Sequence, residues 1–282
     1  MQYIFFGTPK YSANILEQLI AAGFMPKAVV CNPDRPVGKK KIITPPPTKI
    51  VALSHTIPVF QPNSKIELDA LALSLKADFA IVAYYYQILS PALLSQFRLG
   101  TIGVHYSFLP QYRGATPVQT AILNNDSTIG ISFYLIDEQL DHGLILKQVS
   151  VPVQSTDTYL DLENKLTPIA AKELIKLIPD FIAGTIKPKE QDHTKATFTK
   201  KFTTKDAEVD MSTTGGKNDA PMIYRKIKAL NPEPGVWTIN FPGREGKRVK
   251  LLTAKFSARG GENNELKITQ IQVAGKKPQT LT

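Results

Sequence analysis

The chain has 282 residues, enough for one domain of ordinary size and a smaller second one. Its apolar share of 43% and charged share of 21% are typical of globular proteins and exclude a disordered or fibrous class. The net charge of +10 is uneven: residues 1–186 hold 15 Lys and Arg against 14 Asp and Glu, and residues 187–282 hold 19 against 10. A basic last third indicates a module that binds a polyanion such as a nucleic acid. The alternative is that the charge only keeps a small domain soluble.

Short apolar runs alternate with helix-like segments before Gly184. The runs predict strands at 3–6, 28–31, 79–83, 101–105 and 129–136, with helices at 12–22, 66–75, 90–97 and about 158–183. This alternation predicts a mostly parallel, Rossmann-like α/β sheet with helices on both faces. Ligand sites in such sheets lie at the carboxyl ends of the strands.

A polar, lysine-rich segment follows Gly184 and predicts a linker at 187–203, after a catalytic domain at 1–186. The remaining residues, 204–282, contain short strand-like runs at 236–241, 249–256 and 266–273 and a helix at about 220–230. This pattern predicts a small, basic, OB-like β-barrel.

The lone cysteine, Cys31, ends an apolar run and is predicted to be a buried structural thiol. The N-terminal residues lack the basic lead of a signal peptide, and no run approaches the roughly 18 apolar residues of a membrane span. We expect a cytoplasmic monomer that has no membrane partner and binds no metal.

Two titratable residues stand at predicted strand ends. His105 closes the strand at 101–105, where a histidine can act as general acid or electrostatic stabiliser, or can be a core residue bonded to a backbone carbonyl. Asp141 follows the strand at 129–136 and could be a catalytic carboxylate or only a turn residue. Since both lie at strand ends of one sheet, we expect them to face the same cleft. The turn at Gly7 lacks the repeated glycines of a dinucleotide site, so an NAD-dependent enzyme is disfavoured.

Several longer strings resemble the methionyl-tRNA formyltransferases, in that family's order and over almost the whole chain. They are FFGTPKYS, NPDRPVGKKKIITPPPTK, GVHYSFLPQYRGATPVQ, LDHG, ALNPEPGVWT and AGKKPQ. The segment from His105 to Gln119, together with LDHG, marks folate-dependent formyltransferases in general. The lysine-rich loop at 32–49 and the ALNPEPGVWT block indicate the branch that acts on tRNA.

The resemblance implies 10-formyltetrahydrofolate as donor and the α-amine of methionine on initiator tRNA as acceptor. Such a transfer passes through a tetrahedral intermediate, so His105 would donate to its oxyanion and Asp141 would assist the proton transfers. The residues implied to bind folate are Tyr84, Tyr85, Tyr86, Gln87, Ile88, Leu89, Ser107, Leu109 and Pro110. Those implied to reach the tRNA acceptor end are Arg35, Lys39, Lys40 and Lys41.

The chain departs from the family pattern at two places. A catalytic asparagine of the family is replaced by Gly103, and loss of one oxyanion donor costs about 100- to 1,000-fold in other enzymes. Tyr106 or Ser107 could compensate, and Gly103→Asn is expected to raise the rate if the amide is limiting. The family also has Ala-Tyr-Gly at positions 84–86, so the folate pocket is expected to be reshaped.

Two other functions stay open at this point. A formyltransferase acting on a sugar nucleotide or another small amine would share His105 and Asp141, but would not explain the basic last third or the lysine-rich loop. A catalytically impaired relative that binds tRNA is suggested by Gly103 and predicts salt-dependent binding without turnover.

Overall fold

The structure is a computed structural model that describes residues 1–38, 40–71, 74–211, 220–258 and 264–281. The helices are α1 (Lys10–Ala21), α2 (Pro47–Ser54), α3 (Lys65–Leu71), α4 (Pro91–Leu94), α5 (Pro117–Asn124), α6 (Tyr159–Ala183) and α7 (Ala220–Leu230). The strands are β1 (Tyr3–Phe6), β2 (Ala28–Val30), β3 (Arg35–Val37), β4 (Ile42–Thr44), β5 (Val59–Phe60), β6 (Phe79–Ala83), β7 (Thr101–His105), β8 (Thr128–Leu135), β9 (Ile145–Pro152), β10 (Trp237–Thr238), β11 (Val249–Ala258), β12 (Asn264–Val273) and β13 (Gln279–Thr280).

The main sheet has seven strands in the order β5-β2-β1-β6-β7-β8-β9. The pairs β1–β2, β1–β6, β2–β5 and β6–β7 are parallel, whereas β8 runs antiparallel to β7. Every residue of β1 is buried, as expected of a central strand covered on both faces. The predicted α/β sheet, dominated by parallel pairs, is therefore confirmed. Cys31 is fully buried, as predicted, and burial raises its pKa to about 11.

Helix α6 covers the sheet and agrees with the helix predicted at about 158–183. Its buried positions include Leu166 and Leu174, and the Phe181 ring packs edge-on against Phe79 of β6 with ring centroids 5.7 Å apart. Burial of this apolar stripe is what holds a long helix on a sheet.

A paired carboxylate on α6 gives a prediction about acid stability. Lys147 and Lys176 donate to Glu173 at 2.6 and 2.7 Å, and these hydrogen bonds lower the pKa of Glu173 to about 2. Because the folded-state pKa is depressed, the stabilisation exists above the ordinary glutamate pKa of about 4.3 and is lost as pH falls towards 2. Glu173→Gln should therefore lower the free energy of unfolding near neutral pH, and the gap to the unsubstituted protein should narrow in acid. Urea titrations at several pH values measure this gap, and a gap independent of pH would contradict the assignment.

Three segments differ from their predicted forms. The helix expected at 90–97 is only the short α4, which Ser90 caps by accepting the Leu93 N–H. The segment 35–44, expected to be a loop, forms the hairpin β3–β4. The strand expected at 236–241 is reduced to Trp237–Thr238, after which the Asn240 N–H donates to the Thr238 hydroxyl at 3.1 Å.

Contacts between Cα atoms divide the chain into two compact units. The first comprises residues 1–114, 130–151 and 163–198, and the second comprises residues 115–129, 152–162 and 199–282. In the second unit, β10–β13 form a four-stranded antiparallel sheet, and α7 packs against β11, β12 and α5. The domain limits predicted from the sequence stay a prediction. Among the described residues, the helices are too short or too polar to cross a membrane.

Candidate active site

Strand β7 presents two positions on one face at its carboxyl end. Gly103 and His105 are two residues apart, so their side-chain directions coincide, and they lie opposite Tyr134 and Ser132 of β8. His105 is 8% exposed, and its Nε2 lies 2.9 Å from the carbonyl oxygen of Tyr112. Because a carbonyl can only accept, Nε2 carries a hydrogen, which leaves Nδ1 as the ring nitrogen that faces the site.

Asp141 lies in the turn after β8, with its carboxylate beside His105. Its Oδ2 is 3.6 Å from His105 Nδ1 and accepts the backbone N–H of Gly114 at 2.7 Å. Its Oδ1 accepts the Tyr134 hydroxyl at 2.6 Å. The structure thus brings together the two residues that the sequence analysis singled out, and both carboxylate oxygens are held by donors.

The Asp141 turn has an uncommon backbone that its surroundings support. Asp141 has a φ of 47°, in the left-handed region, which costs a non-glycine residue about 1 kcal/mol or more. Gln191 donates to the carbonyl oxygens of both Asp141 and Gly143, and Arg113 in turn donates to Gln191 at 2.6 Å. Gly143 is required here, since a Cβ would lie 1.8 Å from the Leu135 carbonyl oxygen.

Sequence reasoning missed these supporting residues. Gln191 lies in the segment predicted as a linker, yet it is only 6% exposed, and the neighbouring Lys189 exchanges backbone hydrogen bonds with Ile145. Arg113 lies within the segment from His105 to Gln119, and the family resemblance of that segment could have pointed to it. Part of the predicted linker therefore supports the turn that carries Asp141.

Gly103 is covered by the ring of Tyr134. A Cβ built at Gly103 would lie 2.4 and 2.6 Å from the Cε1 and Cζ atoms of that ring, and 3.0 Å from Ile136 Cγ1. Contacts below 3.0 Å force a neighbour to move. The idea that Gly103→Asn simply restores a missing amide needs correction, because the space for that side chain is already filled.

The residues implied to bind folate take different positions. Tyr84 points inwards, where its hydroxyl donates to Glu163 and its ring contacts those of Tyr11 and Tyr106. Tyr85 packs against the buried core that includes Leu89. Of this segment, Tyr86 and Ile88 are the most open, at 68% and 71% exposed. Tyr86 therefore offers the exposed aromatic face of the segment.

The remaining predicted folate contacts have structural partners. Gln87 donates to the Pro62 carbonyl oxygen at 3.1 Å, and the Ser107 hydroxyl donates to the carbonyl of Gln111 at 2.5 Å. The Leu109 N–H donates to the Ser132 hydroxyl, and the Leu109–Pro110 peptide is cis. Ser107 and Leu109 are buried. Their assignment to a folate pocket stays a prediction.

The basic residues predicted to reach tRNA lie on the β3–β4 hairpin. Arg35, Lys40 and Lys41 are exposed, and Lys39 lies outside the described residues. At the base of the hairpin, Lys49 donates to both oxygens of Asp34 at 2.8 Å and to Gln61 at 2.7 Å. Asp34 also accepts a hydrogen bond from the Gln61 amide, and the bonds from Lys49 and Gln61 lower the pKa of Asp34. The hairpin is thus anchored at its base while its tip is open to solvent.

Within the described ranges, no group of three or more His, Cys, Asp or Glu side chains is arranged to hold a metal ion. A buried imidazole beside a fully hydrogen-bonded carboxylate can stabilise negative charge and exchange protons, the two tasks of acyl transfer.

Comparison with known proteins places this site in a family. Residues 1–178 match the model described as Formyl transferase. Methionyl-tRNA formyltransferase of Halalkalibacterium halodurans is 38% identical, over 98% of this chain and 92% of its own length. The enzyme of the same name from Bacillus subtilis is 35% identical, over 97% of this chain and 90% of its own.

Solved structures share the fold at lower identity. An N-formyltransferase of Helicobacter canadensis, in complex with folinic acid and dTDP-3-aminofucose, has a TM-score of 0.67 at 20% identity and covers 98% of this chain and 96% of that one. HypX of Aquifex aeolicus, in complex with tetrahydrofolic acid, has a TM-score of 0.65 at 16% identity and covers 100% of this chain and 46% of that one. The near full-length matches confirm the predicted family: the chain belongs to the formyl transferase family and, within it, to the methionyl-tRNA formyltransferases.

Proposed function

We propose that the chain transfers the formyl group of 10-formyltetrahydrofolate to the α-amine of methionine on initiator tRNA, in support of translation initiation. The observation that carries this is the 38% identity to a methionyl-tRNA formyltransferase over 98% of the chain. The buried pair of His105 and Asp141, with Nδ1 and Oδ2 3.6 Å apart, supports it independently.

The reaction forms a bond from the amine nitrogen to the formyl carbon and breaks the bond from that carbon to the folate nitrogen. The amine loses one proton and the folate nitrogen gains one, so the overall proton count is unchanged. Because Nε2 keeps its hydrogen on the Tyr112 carbonyl oxygen, His105 can donate through Nδ1 only as the imidazolium, and in that form it donates to the formyl oxygen as negative charge develops there. Asp141, whose carboxylate is held by Gly114 and Tyr134, orients the amine and assists the proton transfer.

The second unit is proposed to bind tRNA. This unit holds 16 Lys and Arg against 11 Asp and Glu, and its residues 199–282 alone hold 16 against 8, an excess that supports contact with RNA phosphates. We infer that its antiparallel sheet, β10–β13, is part of a small OB-like barrel. A cytoplasmic monomer is the form in which we expect the enzyme to act.

The activity test incubates the purified protein with 10-formyltetrahydrofolate and methionyl initiator tRNA, then releases and identifies the amino acid. Formylmethionine is the expected product. A parallel reaction offers amino-sugar nucleotides, the acceptor class of the alternative enzyme. Formylation of these in place of the tRNA would overturn the proposal, as would tRNA binding without any product.

The hairpin gives a prediction about substrate affinity. Exchanging Lys40 and Lys41 for Gln removes two exposed charges and should raise the KM for tRNA about tenfold, with kcat and the KM for folate unchanged. The slope of log affinity against log salt should also become shallower, since fewer counterions are released. The matched control exchanges two exposed lysines elsewhere in the first unit, Lys65 and Lys76, for the same change in net charge. Equal effects in both double variants would contradict a specific role for the hairpin.

A further inference from the structure

Tyr134 places a hydroxyl inside the site that the sequence analysis did not consider. The residue is 6% exposed, and its hydroxyl donates to Asp141 Oδ1 at 2.6 Å. Burial, and next the Asp141 charge, raise the pKa of this phenol well above its usual value. The hydroxyl therefore keeps its proton and acts as a donor at neutral pH.

The direction of the Asp141 carboxylate depends on this bond. Gly114 N–H holds Oδ2 at 2.7 Å, and the Tyr134 hydroxyl holds Oδ1 at 2.6 Å. Two donors on different oxygens fix the rotation of the carboxylate plane, whereas one donor alone would leave it free to turn. Oδ2 is also the oxygen nearest His105, 3.6 Å from Nδ1. The Tyr134 bond therefore helps to set the geometry of the two residues proposed to do the chemistry.

Gly103 creates the space that the Tyr134 ring occupies. The two residues are directly opposed in the β7–β8 pairing, so their side chains belong to the same face of the sheet. A single added carbon at Gly103 would lie 2.4 Å from the Tyr134 ring. A side chain at Gly103 would therefore displace the Tyr134 ring from this position, and the two positions form a coupled pair.

We infer that Tyr134 is a positioning residue for formyl transfer, which orients Asp141 from the space left open by Gly103. The inference rests on the proposed function, and it does not make Tyr134 a replacement for the missing oxyanion donor, because the Tyr134 hydroxyl donates to Asp141. Of the two residues named in the sequence analysis as replacements for that donor, Ser107 is engaged elsewhere, since its hydroxyl donates to the Gln111 carbonyl oxygen, and the Tyr106 ring packs on Tyr84.

The direct test is Tyr134→Phe, which keeps the ring and removes the hydroxyl. We expect kcat to fall about 100-fold, the size of effect that misplacement of a catalytic group produces, with both KM values unchanged. Tyr3→Phe is the matched control, because it also removes a phenol hydrogen bond, 2.7 Å to the Phe24 carbonyl, at the other end of the sheet. It should lose similar stability without loss of kcat. Near-normal kcat in Tyr134→Phe would overturn the inference.

Double variants separate positioning from general loss of structure. In an Asp141→Asn background, Tyr134→Phe should change kcat by less than about twofold, because it acts through the carboxylate that is already gone. Gly103→Ala should lower kcat and should not add to Tyr134→Phe, and Gly103→Asn should likewise lower the rate. Full additivity in either combination would overturn the coupling. If the unsubstituted protein forms no formylmethionine, the proposed function is wrong. If it forms formylmethionine and Tyr134→Phe does so at the same rate, only the inference about Tyr134 is wrong.

Discussion

Replacement of Asp141 by Asn is expected to lower kcat for formyl transfer about 1,000-fold while the affinity for tRNA is retained. The change keeps the size of the side chain but exchanges an oxygen that accepts for an amide that donates. Both Asp141 oxygens accept hydrogen bonds, from Gly114 and from Tyr134, so an amide NH₂ would meet a donor at either position. The variant also removes the charge beside His105, and general acid–base groups of this kind contribute about 100- to 10,000-fold.

The measurement pairs initial rates of formylation with tRNA binding, so that a folding defect is not mistaken for lost chemistry. Asp78→Asn is the matched control, because Asp78 likewise accepts a backbone N–H, from Gln2, and a side-chain bond, from Arg98. Asp78 precedes β6 at the opposite end of the strands from His105. A rate for Asp141→Asn within about tenfold of the unsubstituted protein would remove Asp141 from the chemical step.

The architecture could be predicted because the strands of the main sheet are buried and their sequences are therefore apolar. Runs such as Tyr3–Phe6 are fully buried, so apolar composition reports their position directly. The β3–β4 hairpin gave no such signal, since Val37 and Ile42 are apolar yet 56% and 61% exposed. A prediction based on buried apolar runs cannot recognise a strand whose apolar side chains are exposed.

The site was predicted in part, for a related reason. His105 and Asp141 stand at strand ends, a position that a linear pattern reveals. Tyr134 lies within a strand, and its contact with Gly103 depends on the register of β8 against β7. Because a long connection that includes α5 separates β7 from β8, their register depends on packing, and neither residue alone indicates the pair. The sequence shows that Gly103 departs from the family pattern, but it does not show that the Tyr134 ring fills the space beside it.

His105→Ala is expected to lower kcat about 1,000-fold with little change in the KM for either substrate. The His105 ring directs Nδ1 at Asp141, while its Nε2 donates to the Tyr112 carbonyl oxygen at 2.9 Å. Removal of this donor leaves the developing oxyanion without its charge partner, and one lost donor costs about 100- to 1,000-fold in comparable enzymes. The effect should fall on kcat because the oxyanion forms only in the transition state.

Two comparisons make this expectation decisive. His55→Ala removes a half-exposed histidine whose ring pairs with Glu17, and it should leave turnover unchanged. His105→Ala combined with Asp141→Asn should be scarcely slower than the slower single variant, because residues that act as one unit are strongly non-additive. A rise in the KM for tRNA with normal kcat would instead make His105 a binding residue, and the proton transfers would have to be assigned to Asp141 alone.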